Sequence, residues 1–468
     1  MERSRVETNE SPGPARPRAL LIYPPVYDFA LYDLYCKPFG LLTIAHRLEQ
    51  SGWNVDIINA LSYSDAEMVR RLGPVKRKQD GTGKFFKQQV ETPGLLIGRK
   101  RRFSRYGIAC DLLEGRIRTA RPDVVFISTG MTYWYLGVQE VTRVVRSIYP
   151  GMPIVAGGIY ASLLPEHCKE KGEVDYVIPG EPWQKLRELL DRLGYPAPRL
   201  PGPESADITV SPLITEKTVG EAWLDAGVLR LNRGCPFSCS YCASKKLYRG
   251  FSPGDPEKTV ADLQTFSRLG ITNFAFYDDA LLVHKETVLQ PFLRRVIDAG
   301  IAARFYLPNA VHLQYIDEET ARLMKRAGFQ EVRIGFESAA PEFHAEHDRK
   351  FNIEEFDEKV RLLHDAGFEK EQIIVYVLAG LPGQEACEVE ESVRFAACNK
   401  VRVSIAEYSP VPGTVLWERS AAESRYPIAE EPLFHNNTFF PMEWERFTRD
   451  DLERLKRTAR ELSARSFP

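Results

Sequence analysis

The chain has 468 residues, enough for two or three domains. Hydrophobic residues at 44% against 27% charged residues give an ordinary globular balance, and a net charge of −2 argues against a dominant nucleic-acid surface. No apolar run approaches the roughly 20 residues that cross a bilayer, and eight cysteines without paired spacing suit a reducing cytosol, so a cytoplasmic protein with no membrane partner is expected.

Residues 1–17 are polar and proline-bearing, lack the apolar core of a signal peptide, and are expected to form a disordered tail. Ala19 to Tyr23 reads as a buried strand stopped by Pro24-Pro25. Phe39 to Gln50 carries Leu41, Leu42, Ile44, Ala45 and Leu48 on one helical face, and Val55 to Ile58 follows as a strand. Further strands are predicted at Val124 to Ile127, Ile154 to Ala156 and Tyr176 to Ile178, with a helix marked by Val138, Val141, Val144, Val145 and Ile148. Such alternation predicts a Rossmann-like parallel sheet over residues 18–200. A basic insertion at 62–118, with Lys76-Arg77-Lys78 and Arg99 to Arg102, interrupts it. It reads either as a solvated loop or as a lid or patch meeting an anionic substrate or a cofactor tail. Pro196, Pro198, Pro201 and Pro203 predict a stiff linker.

Residues 206–420 change rhythm. Gly227 to Leu231 is an apolar strand, and directly after it Cys235, Cys239 and Cys242 stand at C-x3-C-x2-C spacing on one short loop. Cysteine thiolates are the usual ligands of iron–sulfur clusters, and three of them leave one iron of a four-iron cubane open to a further ligand. Zinc would want a fourth ligand close by, and no His or Cys follows within a short loop. Beyond the loop, Gly270, Gly300, Gly328 and Gly367 each close a helical pattern and precede a strand: Phe274 to Phe276, Arg304 to Tyr306, Val332 to Phe336 and Ile373 to Val377. Val401 to Ser404 adds a further strand, making six with the first. Residues 421–468 form a C-terminal extension with a helix over Asp450 to Ser463.

The cysteine spacing, with Tyr241 just before the last cysteine, resembles the signature of the radical S-adenosylmethionine (SAM) enzymes. That resemblance implies a partial (β/α)6 barrel, a 4Fe-4S cluster on Cys235, Cys239 and Cys242, SAM on the open iron, and an external electron donor of flavodoxin or ferredoxin type. The active site of such a barrel lies at the carboxyl ends of its strands. There the resemblance makes Tyr277 and Asp278 candidate catalytic residues. Asp278 and Asp279 stand where the family holds the SAM amino group, although the usual Gly-Gly-Glu is absent and Asp279 fits a helix N-cap equally. Tyr241, Asn309, Glu337 (toward the ribose hydroxyls) and Gly380 (beside adenine) complete the implied cofactor contacts.

Ser409-Pro410-Val411-Pro412-Gly413-Thr414 resembles the turn of radical SAM proteins that carry an N-terminal cobalamin-binding domain. Gly157-Gly158, Asp175 to Val177 and Gly180-Glu181 resemble that domain, which implies cobalamin as a third cofactor. No D-x-H-x-x-G places a histidine on cobalt, and Thr132-Tyr133-Trp134-Tyr135 either caps the corrin or fills its space. Two radical readings remain on a small-molecule, natural-product-like substrate: cobalamin-dependent methyl transfer, or cobalamin-free cyclisation, rearrangement or C–S chemistry. A non-catalytic iron–sulfur protein is the third reading.

Overall fold

The computed structural model describes residues 16–96, 101–195, 211–350 and 352–464. The tail as far as residue 15, Arg99 and Lys100, and the four linker prolines lie outside the described residues. The N-terminal sheet contains β1 (Arg18–Tyr23), β2 (Asn54–Asn59), β3 (Val124–Thr129), β4 (Ile154–Gly158) and β5 (Tyr176–Ile178). All pair in parallel, in the order β2-β1-β3-β4-β5. Leu20, Leu21 and Ile22 of β1 are fully buried, as a central parallel strand covered on both faces requires. The strand order reverses between β1 and β3, and open sheets of this kind bind ligands outside the carboxyl ends beside that reversal.

The second unit contains β6 (Gly227–Leu229), β7 (Asn273–Phe276), β8 (Arg304–Tyr306), β9 (Val332–Glu337), β10 (Ile373–Ala379) and β11 (Arg402–Glu407). They pair in parallel as two groups of three, which bridges Phe305–Phe329 and Val311–Ile334 join into one curved wall. Gly270, Gly300, Gly328 and Gly367 all have positive φ at the helix ends where the repeat predicts it. Phe274, Phe276, Phe292, Phe305 and Phe329 fill the space between wall and helices. The opposite face of β9 carries the half-buried Arg333, Gly335 and Glu337.

The described part of the insertion is folded rather than a solvated loop throughout. Part of it forms a three-stranded antiparallel sheet with Val26–Asp28, and residues 76–84 form a hairpin against the amino ends of the barrel strands. Arg77 pairs with the buried Asp33 at 2.8 Å and with Asp225 at 3.1 Å, and its guanidinium lies 3.6 Å from the Tyr63 ring centre. The carbonyl of Gln79 accepts from the Asn273 side chain at the start of β7. Lys76 and Lys78 remain exposed.

The C-terminal extension divides its packing. Its helix Arg449–Ala464 covers β11, whereas Ile428, Leu433, Phe434 and Phe439 complete the core of the N-terminal unit beside Phe29 and Phe103. Among the described residues no helix is long and apolar enough to cross a membrane.

Candidate active site

Asp278 determines the path of the cysteine loop. Its buried carboxylate accepts the backbone N–H groups of Leu231 (3.1 Å) and Asn232 (2.5 Å), and burial lifts its pKa to about 7. Asn232–Arg233 pairs with Ser252–Pro253 to close the base of the loop, and Ser240 is anchored to the carbonyl of His347 and the N–H of Leu416. Cys235 and Cys239 are buried and Cys242 is exposed. Burial pushes the Cys235 thiol up to about 11 and Cys239 to about 12; Cys242 adds to both and Lys350 opposes. Among the described residues no group of three His, Cys, Asp or Glu side chains is arranged to hold a metal ion. His312 Nε2 lies 4.0 Å from the Cys235 sulfur and stacks on Phe237.

Beside the loop lies a buried charged network. Glu337, at a β-bulge with φ of 69°, is 3.4 Å from Lys350 Nζ, which is 4.0 Å from Asp348 and 5.4 Å from the Tyr241 ring centre. Tyr241 donates to Asp348 at 3.1 Å, and His344 bridges Asp348 and the carbonyl of Ser338, each at 2.9 Å. Burial raises the pKa of Glu337, with Lys350 opposing. Burial would also raise that of Asp348, but the His344 hydrogen bond and the Lys350 charge hold it below the usual carboxylate range. Left-handed backbone at a non-glycine residue is strained and persists only where its surroundings hold it, commonly at ligand sites. Lys350, Asp348 and His344 escape sequence reasoning because no motif marks them; the one signal is their position shortly after the fourth barrel strand.

Asp278 and Tyr277 are both engaged by protein groups. The Asp278 oxygens accept from the loop backbone. Tyr277 donates to the carbonyl of Tyr35 and accepts the Lys37 N–H at 3.0 Å, tying the two units together. Asp279 fits its expected place better. One of its oxygens accepts from Ser244 at 2.7 Å, and its charge reaches Cys235 and Cys242. Asn309 donates to the carbonyl of Asp278 at 3.3 Å. Gly380 has φ of 90° and faces Phe440, whose ring would lie 2.6 Å from an added Cβ, so internal packing already explains the glycine there.

On the N-terminal side, Gly157 and Gly158 differ. An added Cβ on Gly158 would come within 2.5 Å of the Thr129 carbonyl, at φ of 103°, so strand packing requires that glycine. On Gly157 its nearest neighbour would be the Ile178 carbonyl at 3.7 Å, an ordinary contact. Met131, after β3, and Ile159, after β4, are exposed. The Trp134 indole donates to Asp28 at 2.8 Å and covers Gly130. Asn436 of the C-terminal extension holds the same carboxylate at 2.9 Å.

The loops that follow the strands of the two sheets pack against each other. Tyr23 after β1, Tyr133 after β3 and Tyr277 after β7 are each half-buried, and burial raises all three phenols, with the nearby Cys36 adding to each. Arg233 pairs with Glu181 at 3.2 Å across the two units, and helix Ser244–Leu247, following the cysteines, packs on helix Ile159–Leu163, following β4.

Comparison with known proteins agrees with this arrangement. The Radical SAM superfamily model matches residues 229–396 and the B12 binding domain model matches residues 105–190. An uncharacterised methyltransferase of Pyrococcus horikoshii is 25% identical over 72% of this chain and 74% of its own length. The anaerobic magnesium-protoporphyrin IX monomethyl ester cyclase of Rubrivivax gelatinosus is 24% identical over 66% of this chain, which spans 60% of that relative. Among solved structures, the radical SAM methyltransferase TsrM of Kitasatospora setae, with cobalamin and a [4Fe-4S] cluster bound, superposes with a TM-score of 0.65 at 14% identity. That match covers 94% of this chain and 91% of TsrM.

Proposed function

Because this chain belongs to the radical SAM superfamily and carries a B12-binding domain ahead of its barrel, we propose that it transfers a methyl group to an unactivated carbon of a small, natural-product-like molecule. The observation that carries this reading is the contact of the two units at Arg233–Glu181 and between helices Ser244–Leu247 and Ile159–Leu163, which brings the cysteine loop beside the end of β4. When bound there, the cluster and SAM supply a radical able to take hydrogen from carbon, and cobalamin supplies the methyl group. Cys235, Cys239 and Cys242 hold the cluster; Glu337 accepts the ribose hydroxyls of SAM; the Asp279 oxygen that Ser244 leaves free receives the SAM ammonium. Gly157, with Met131 and Ile159, lets cobalamin approach the backbone. Tyr23, Tyr133 and Tyr277 line the reaction site with neutral phenols, which keeps water from a reactive carbon. The relatives named as methyltransferases, the uncharacterised one of Pyrococcus horikoshii and TsrM, support the choice of reaction. The electron comes from an external carrier, and the reaction belongs in the cytoplasm.

Trp134 favours a second reading, a cobalamin-free radical enzyme. The cavity it lines between Tyr23 to Val26 and Gly130-Met131 measures about 10 Å³. Anaerobic reconstitution with hydroxocobalamin, followed by gel filtration and a visible spectrum, separates the two. One cobalamin per chain, with S-adenosylhomocysteine formed beside 5′-deoxyadenosine, is the expected result. Protein that never retains cobalamin yet still releases 5′-deoxyadenosine belongs to the second reading.

A further inference from the structure

Between Leu229 and Asp255 the chain carries Arg230, Arg233, Lys245, Lys246 and Arg249 and no carboxylate, although its overall charge is −2. Two of these cations turn inward: Arg233 pairs with Glu181, and the Arg230 guanidinium lies over Phe39. Lys245, Lys246 and Arg249 are exposed, and none of the three forms an ion pair among the described residues. They lie at the cysteine loop. Lys245 donates to Ser238, between the first two cysteines, and Lys246 runs along Gly413. Two residues beyond Gly413, Val415 is 78% exposed, more than any other large apolar residue among those described. The next residue, Leu416, donates its N–H to the Ser240 carbonyl, which fixes Val415 beside the loop. Pro236 and Ser238 are exposed in the same loop.

An exposed apolar residue and unpaired cations beside the loop that carries the cysteines, of which Cys242 is itself exposed, have the features of a small redox interface: few contacts, charge steering and a short path to the metal. We infer that Lys245, Lys246, Arg249 and Val415 form the docking face for a small acidic one-electron carrier protein. This rests on the radical SAM reading, which requires an outside electron. The carrier gives up one electron, a flavin hydroquinone becoming the semiquinone, and the cluster accepts it, falling from the 2+ to the 1+ state. Exposed charges of this kind act mainly on encounter rate, so the effect fades with salt as the Debye length shrinks.

The test uses cluster-loaded full-length protein, a bacterial flavodoxin in its hydroquinone form, and dithionite as a small reductant that needs no docking face. Bleaching of the cluster is followed by stopped flow, and flavodoxin affinity is measured separately on the oxidised protein. In K245E/K246E/R249E, reduction by flavodoxin is expected to slow at least tenfold at low salt and its binding to weaken in parallel. Reduction by dithionite stays unchanged. Flavodoxin rates equal to wild type in this variant would overturn the docking face. Failure of dithionite to yield 5′-deoxyadenosine from the wild type would instead overturn the reading beneath it. If the triple variant also loses its cluster, Lys246→Glu and Val415→Asp carry the test singly under the same criterion.

Discussion

At the amino end of the barrel, Arg77 sits between Asp33 and Asp225 at 2.8 and 3.1 Å and covers the Tyr63 ring. At the carboxyl end, Lys350 is shared between Glu337 and Asp348 at 3.4 and 4.0 Å, and Glu337 holds a strained backbone. Both sites hold one cation between two carboxylates in a protected setting. The first is held by short contacts; the second is stretched. Buried ion pairs that lose a partner are costly, whereas hydrogen bonds left long in a ligand-free site tighten when the ligand arrives. The same composition therefore serves architecture below and chemistry above.

The largest expected effect lies above. Replacing Cys235, Cys239 or Cys242 singly with Ala should abolish the four-iron absorbance and 5′-deoxyadenosine release while leaving far-UV circular dichroism intact. Retained activity in any one of the three would end the cluster assignment. Below, Arg77→Ala removes the short partner of the buried Asp33 and leaves it Lys37 at 3.8 Å, which should cost about 1.5–3 kcal/mol in denaturant unfolding. Its SAM dissociation constant should not move; a weakened one would show that the two ends communicate. Glu337→Gln should give the mirror result, with little change in stability and SAM binding weakened by roughly 2–3 kcal/mol, about thirty- to a hundredfold. A large drop in melting temperature there would place Glu337 with Arg77 as architecture.

The strand and helix pattern was legible because each element carries its own period: fully apolar β1, one-faced Phe39–Gln50, and glycines at helix ends with positive φ. The cysteine loop was legible because its three ligands are adjacent in sequence. What pattern reading missed depends on contacts distant along the chain. Lys350 meets Glu337 across 13 residues, and Arg77 meets Asp225 across 148. Gly157 and Gly158 look alike as letters. The approach of Thr129 alone makes the second a packing glycine and leaves the first with only an ordinary contact, so Gly157→Val should lower cobalamin retention in a folded protein. Gly158→Val should disrupt the edge of the sheet. Equal behaviour of the two variants would remove Gly157 from the cobalamin site.

A smaller and slower effect belongs to the seam between the units. His435 is buried, accepts or donates at Thr132 (2.8 Å), and donates to the carbonyl of Ile428. Burial lowers its pKa to about 4, against about 6.5 in an unfolded chain. Between those values the unfolded chain binds the extra proton. Stability is therefore complete above pH 6.5 and falls toward pH 4, by at most about 1.4 kcal/mol per pH unit. His435→Gln should flatten that slope in unfolding curves measured across the window; an unchanged slope would assign the acid sensitivity to other groups.

The return of residues 428–439 to the core around Phe29 and Phe103 also governs the order of assembly during synthesis. A ribosome making roughly 5–20 residues per second finishes the five strands of the first sheet long before it reaches Phe434. Until then the nascent first unit has an apolar gap where Leu433, Phe434 and Phe439 belong, and Asp28 lacks Asn436. The first unit to emerge is thus the last to be completed, after the cysteine loop and the barrel have been made. Final closure of that core waits until residues 428–439 have been made, so a ribosome stalled within the barrel leaves the first unit open beside Phe29 and Phe103.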